Sequence, residues 1–163
     1  MYSAGVLIYF VKDGEMKFLL GKDAYGTWSD FGGKSDLLDN NDPTLTASRE
    51  CYEETSGVIC SRAHIHHELQ THTGPFICSS YKRHRYYMYL VRLDVTELVD
   101  VRARFDNMRY LLGAYEGLER FKEKTSLSVF TTDQIMENPS YFRSVFYTSF
   151  VNNVDSIRRC VLI

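Results

Sequence analysis

Between Asp42-Pro43 and Ser56-Gly57 lies a stretch that contains Arg49-Glu50-Cys51-Tyr52-Glu53-Glu54, and no other part of the chain constrains the fold as strongly. Asp42 suits a helix N-cap, Pro43 suits the first helical position, and Ser56-Gly57 is a stop, so residues 44–55 are predicted to form a helix. At about 100° per residue, Glu50, Glu53 and Glu54 share an arc of roughly 100°, with Arg49 at its border beside Glu53. Leu45, Ala47, Cys51 and Tyr52 occupy the remainder and offer a packing surface. Like charges three and four apart cost an isolated helix a few tenths of a kcal/mol per pair, and Arg49 to Glu53 recovers about one such increment. A bound divalent cation reverses the penalty, because carboxylate oxygens are the ligands hard cations prefer, and Mg²⁺ held this way also contacts phosphates. Taken alone, the pattern also fits a solvated acidic face. The Gly32-Gly33 pair shortly upstream weighs toward a site.

The rest of the chain supplies a scaffold. With 163 residues, 44% hydrophobic and 25% charged, a single domain spanning 1–163 around one core is expected. Residues 4–11 and 17–20 read as a hairpin about Lys12-Asp13-Gly14-Glu15, and residues 28–31 as a strand ended by the glycines. A loop over 34–42 precedes the acidic helix. Two β-like runs come next, around 65–73 and 86–93, then a helix over 113–124 and a strand over 127–132. Phe142, Val145, Phe146, Ser149, Phe150, Val154 and Ile157, spaced by threes and fours after Asn138-Pro139, predict an amphipathic helix over about 139–160. A net charge of -2 argues against a protein that coats nucleic acid through bulk positive charge. The four cysteines form no C-x-x-C pair and no stretch approaches twenty apolar residues, so a cytoplasmic, reducing setting and no membrane span are expected.

From Gly33 through Asp39 to Arg49-Glu50-Cys51-Tyr52-Glu53-Glu54-Thr55-Ser56-Gly57-Val58, the sequence resembles the Nudix box, G-x5-E-x7-R-E-U-x-E-E-x-G-U with U apolar. The R-E-U-x-E-E core is complete. Asp39 stands where the family usually has Glu, nine residues rather than seven separate it from Arg49, and one extra residue lies between Glu54 and Gly57. These departures fall in turns, where insertion is thermodynamically cheap. The resemblance implies an α/β/α sandwich with a mixed sheet, and hydrolysis of a nucleoside diphosphate linked to another moiety. It further implies Mg²⁺ or Mn²⁺ held by Glu50, Glu53, Glu54 and the Gly33 carbonyl, with Arg49 orienting a glutamate. In many members the general base comes from outside the box, before the last strand. Here Glu116, Glu119 and Glu123 are the candidates, with Glu123 placed first and Glu53 as the replacement within the box.

Other constellations leave alternatives open. Tyr81, Lys82, Arg83, His84 and Arg85, leading into Tyr86 and Tyr87, mix positive charge with rings suited to phosphates and a base, or form an exposed hairpin tip. Trp28 either stacks on a base or packs in the core. His64 and His66 would share one face of a strand, without the further ligands zinc requires. Cys160-Val161-Leu162-Ile163 fits a prenylation signal, giving a membrane partner only if Cys160 is modified, while Val161 also continues the apolar stripe. The expected partner is a small nucleotide or other diphosphate substrate. Hydrolysis of capped RNA, or a catalytically silent Nudix-shaped binding module, are the rival functions.

Overall fold

The computed structural model describes residues 2–71, 74–79 and 84–160. Its frame is a seven-stranded mixed sheet. The strands are β1 (Tyr2–Lys12), β2 (Glu15–Asp23), β3 (Trp28–Ser29), β4 (Phe31–Lys34), β5 (Phe76–Ser79), β6 (Arg85–Arg92) and β7 (Lys124–Thr131). The helices are α1 (Pro43–Glu54), α2 (Arg62–Thr71), α3 (Val101–Gly113), α4 (Thr132–Glu137) and α5 (Ser144–Arg159).

Every residue of β1 from Ala4 to Phe10 is buried, as befits a central strand covered on both faces. One edge of β1 pairs in parallel with β6. Its other edge is shared: residues 8–12 pair with β2, and residues 3–6 pair with β4. β2 in turn pairs with β3 and β7. The sheet therefore divides where β1 and β2 separate, and β3 and β4 fill the division with Asp30 at their junction. Gly5 and Gly32 face each other there, and a Cβ on Gly32 would lie 2.5 Å from the Gly5 Cα, so the two strands approach as closely as glycine permits.

Alternation along the strands builds two cores. On one face, Ala4, Val6, Ile8, Leu19 and Leu127 pack with Ala47 and Cys51 of α1, Ile65 and Leu69 of α2, and Val101 and Phe105 of α3. On the other, Leu7, Tyr9, Phe18 and Leu20 meet Ile135 of α4 and Phe146, Phe150 and Ile157 of α5. This is the α/β/α sandwich with a mixed sheet that the Nudix resemblance implies.

Two elements correct the sequence reading. The expected strand at 65–73 is helical, α2, with 72 and 73 outside the described residues. His64 and His66 thus stand on a helix, and His66 Nε2 lies 3.1 Å from Thr44 Oγ1 in α1. In place of the helix expected over 113–124, α3 ends at Gly113, and a turn with a short 3₁₀ segment at Glu119–Lys122 leads on to β7. At the C-terminus, a separate 3₁₀ turn at Pro139–Tyr141 precedes α5, and Phe142 between them packs in the second core. No helix among the described residues is long and apolar enough to cross a membrane.

Candidate active site

The loop from β4 to α1 sets the site. Asp36 and Asp39 close a reciprocal cap on the 3₁₀ turn at Leu37–Asp39: Leu38 N–H donates to Asp36 Oδ1 at 3.2 Å and Asp36 N–H to Asp39 Oδ2 at 2.9 Å. Asn40 and Asn41 come next with φ of +51° and +58°, a left-handed backbone that asparagine tolerates better than most residues. They turn the chain into Asp42, whose Oδ1 accepts from Thr44 N–H at 2.8 Å and caps α1. The extra length between Asp39 and Arg49 is thus absorbed by a tight turn. At the other end of α1, Ser56 and Gly57 also have positive φ, +53° and +66°, so the additional residue there widens the exit turn and leaves the helix face intact.

Asp39 is fully buried and grips Arg49 with both oxygens, accepting from Nε at 3.1 Å and from an Nη2 donor at 2.8 Å, while Thr46 Oγ1 donates to it at 2.9 Å. Burial pushes its carboxyl up. The Arg49 hydrogen bonds, the Asp36 N–H and Thr46 outweigh that and hold it below the ordinary value. Arg49 then spans the site. Its Nη1 donates to Glu50 Oε1 at 2.8 Å and to Glu53 Oε2 at 3.1 Å, and Nη2 donates to the Lys34 carbonyl at 3.0 Å.

Glu50, Glu53 and Glu54 are all less than a tenth exposed, which removes the solvated-face alternative. Glu54 Oε2 accepts from Gly32 N–H at 2.8 Å, tying α1 to β4. A Cβ on Gly33 would fall 2.5 Å from the Glu50 carboxylate, so only glycine leaves room for that acid against the strand backbone. Desolvation raises Glu50 to about 7 despite Arg49, with Glu53 and Glu123 adding repulsion. It raises Glu54 to about 8, against the lowering pull of Lys124 and the Gly32 N–H. These are buried hard-oxygen donors with a surplus of negative charge, a donor set suited to Mg²⁺ or Mn²⁺. Each glutamate is turned to a protein partner, and among the described residues no three Asp, Glu, His or Cys side chains converge on one point.

Sequence reasoning overlooked Lys124. It is 1% exposed at the start of β7, donates from Nζ to Ser29 Oγ at 2.7 Å, and lies 3.5 Å from Glu54 Oε1. Its stem passes Gly21, where a Cβ would meet Lys124 Cδ at 2.8 Å. Ser29 donates to the Asp30 carbonyl at 3.0 Å, and Asp30 accepts from the Tyr86 hydroxyl at 2.5 Å. Burial pushes Asp30 up to about 6, tempered by Tyr86, Lys124 and Arg143. A polar seam therefore runs beneath the acids, through the division of the sheet. A charged residue that opens a strand carries no pattern that marks it as buried.

The other candidates separate. Glu123 immediately precedes Lys124 and its charge acts on both Glu50 and Glu54. Glu119 is exposed and paired with Lys122 at 3.1 Å, and Glu116 stands exposed in the preceding turn. Trp28 is not brought to the acids: its ring packs edge-on against Phe130 at 5.1 Å in the α5-side core, with Lys22 Nζ 5.7 Å from its centroid. Arg85 is exposed at the start of β6 opposite Tyr2, while β1 pairs Ala4 with Gly33. Lys82 and Arg83 lie outside the described residues. Cys160 is partly buried at the end of α5, and the three residues after it also lie outside.

No family model matches the chain, and no curated protein matches it in sequence. Solved structures do. An Ap4A hydrolase of C. elegans in a binary complex aligns with a TM-score of 0.60 at 16% identity, over 96% of this chain and 98% of that one. A mutT/nudix family protein from Listeria innocua gives 0.60 at 16% identity, over 99% and 96%. RenU, a Nudix hydrolase from M. smegmatis, gives 0.53 at 15% identity, over 96% and 86%. The chain has the Nudix fold.

Proposed function

We propose that this chain is a Nudix-type pyrophosphohydrolase that uses Mg²⁺ or Mn²⁺ to cleave a phosphoanhydride in a nucleoside diphosphate linked to another moiety. The observation that carries the reading is the burial of Glu50, Glu53 and Glu54 against the Gly32–Gly33 backbone, with the Arg49–Asp39 fork behind them. Solvent-exposed acids need no partner. Buried ones, two of them pushed to about 7 and about 8, are costly unless a cation joins them.

Glu50, Glu53, Glu54 and the Gly33 carbonyl would hold the metal. When bound, the cation neutralises charge on the phosphate oxygens and acidifies attacking water. The protein's own groups do the rest. Arg49 fixes Glu50 and Glu53 relative to each other, and Asp39 fixes Arg49. Glu123, exposed and with its charge acting on Glu50 and Glu54, would accept a proton from water as it attacks phosphorus, with Glu53 as the alternative inside the box. The likeness in fold to an Ap4A hydrolase makes dinucleoside polyphosphates natural first substrates to try.

The test is turnover of nucleoside diphosphate derivatives, dinucleoside polyphosphates and capped RNA, with and without Mg²⁺. A Mg²⁺-dependent activity on a small nucleotide is expected, lowered at least about a hundredfold, or roughly 2.7 kcal/mol in the barrier, by Glu53→Gln or Glu54→Gln. Undiminished activity in both variants would refute the assignment. Hydrolysis confined to capped RNA would shift the substrate class.

A further inference from the structure

The turn between α3 and β7 is held at several points on either side of Arg120. The Phe121 ring meets Tyr52 of α1 edge-on at 6.0 Å, and the Phe121 carbonyl accepts from Ser56 Oγ at 3.0 Å. Arg109 Nη1 donates to the Lys122 carbonyl at 3.1 Å, and Lys122 Nζ donates to the Tyr115 carbonyl at 2.9 Å. The backbone is therefore docked on both α1 and α3. Arg120 itself is 61% exposed, and its Nη1 lies 3.5 Å from Glu53 Oε1, on the oxygen that Arg49 does not use.

The two arginines differ in what they are free to do. Arg49 is buried and committed to Asp39, Glu50, Glu53 and the Lys34 carbonyl. Arg120 has Glu53 as its ion-pair partner among the described residues, in a long, solvent-facing contact of the kind that contributes little to stability. A cation taken by Glu53 competes directly with that contact. The guanidinium then stands released at the edge of the acid cluster, and its planar fork matches the non-bridging oxygens of phosphate.

We propose that Arg120 is a substrate-gripping residue, whose guanidinium exchanges Glu53 for the phosphate oxygens of the diphosphate when the metal loads. This rests on the hydrolase reading above and deepens it by assigning a phosphate contact outside the acid helix. The exchange predicts two shifts of opposite sign on removing one side chain. A residue that merely supports the turn would weaken both ligands together.

The experiment compares the unmodified protein with Arg120→Ala and Arg120→Lys by calorimetric titration, first with Mn²⁺ alone and then with imidodiphosphate in the presence of Mn²⁺. In Arg120→Ala, Mn²⁺ is expected to bind about two- to fivefold tighter, since Glu53 loses its competitor. Imidodiphosphate is expected to bind at least tenfold more weakly, with Arg120→Lys in between. If the unmodified protein binds both probes and Arg120→Ala matches it for imidodiphosphate, or loses Mn²⁺ as well, the role given to Arg120 is overturned while the hydrolase reading stands. If the unmodified protein binds neither probe, the reading of the acid helix falls and Arg120 falls with it.

Discussion

Single residues in this site do their work through the space they leave or fill. Gly33 is the clearest case, because the Glu50 carboxylate occupies the volume a β-carbon would need. Gly33→Ala should drive Glu50 off the strand and abolish Mg²⁺-dependent turnover. Circular dichroism should show the fold retained, since β4 keeps its ordinary backbone. Full activity in Gly33→Ala would show that the contact has no catalytic consequence. Lys124 illustrates the opposite case, a charge that is buried where nothing in the sequence signals burial. A lysine at a strand start reads as exposed, and its burial depends on three separated residues: Gly21 leaves room for its stem, Ser29 Oγ accepts its hydrogen bond, and Glu54 supplies the opposite charge. No linear pattern contains that relation. Lys124→Met preserves the stem's volume but strands Glu54, so denaturant unfolding of the metal-free protein at about pH 9, where Glu54 is ionised, should show a loss of about 3 kcal/mol. A loss under about 1 kcal/mol would mean that the Gly32 N–H alone suffices for Glu54.

Elements differ in how openly the sequence declares them, and the reason is the number of side chains each one buries. α1 carries its own start signal, Asp42-Pro43, and its own chemistry, so both the helix and the acid face are legible. α5 buries Phe146, Ser149, Phe150 and Ile157, a stripe long enough to show helical period. α2 and α3 each bury one i, i+4 pair in the core shared with α1, Ile65 with Leu69 and Val101 with Phe105. Two buried apolar residues in ten or more leave only a faint period, and α2 therefore passes for a strand. A local signal exists in Ser61, whose Oγ accepts from His64 N–H at 3.2 Å as an N-cap does. The loop before α1 obeys a different logic, since its length departs from the Nudix pattern while its contact survives: Asp39 still reaches Arg49 with both oxygens because Asn40 and Asn41 take up the surplus. Asp39→Asn leaves the shape but removes the charge that faces Arg49. It should cost about 3 kcal/mol in stability and lower turnover, as Arg49 then pulls harder on Glu50 and Glu53. Unchanged thermal stability in Asp39→Asn would show that Thr46 and the Asp36 N–H, not the ion pair, hold the loop.

For the molecule as a whole, the buried acids make stability depend on pH in a direction that a metal should reverse. Glu50 at about 7, Glu54 at about 8 and Asp30 at about 6 all lie above their ordinary values, chiefly through burial. Between about pH 4.5 and 8 the folded chain thus holds protons that the unfolded chain has released. Stability contributed by these groups is complete below their unfolded values and is lost as pH rises through the folded ones. Asp39 acts oppositely: its lowered value contributes stability above the ordinary aspartate range and loses it as pH falls through the folded value. The metal-free protein should accordingly be most stable in mildly acidic solution, and its melting temperature should fall by about 5 °C or more between pH 5 and pH 8. Saturating Mg²⁺ or Mn²⁺ binds the native state and must find its ligands deprotonated, so the increment it adds should be small at pH 5 and large at pH 8. Glu54→Gln, which cannot ionise, should flatten the metal-free slope and shrink the increment together. Thermal melts at several pH values, with chelator and with metal, check all three statements at once. A metal-free melting temperature that climbs steadily from pH 5 to pH 8, or a metal increment independent of pH, would show that the acids of α1 are satisfied by Arg49, Lys124 and the Gly32 N–H alone and await no cation.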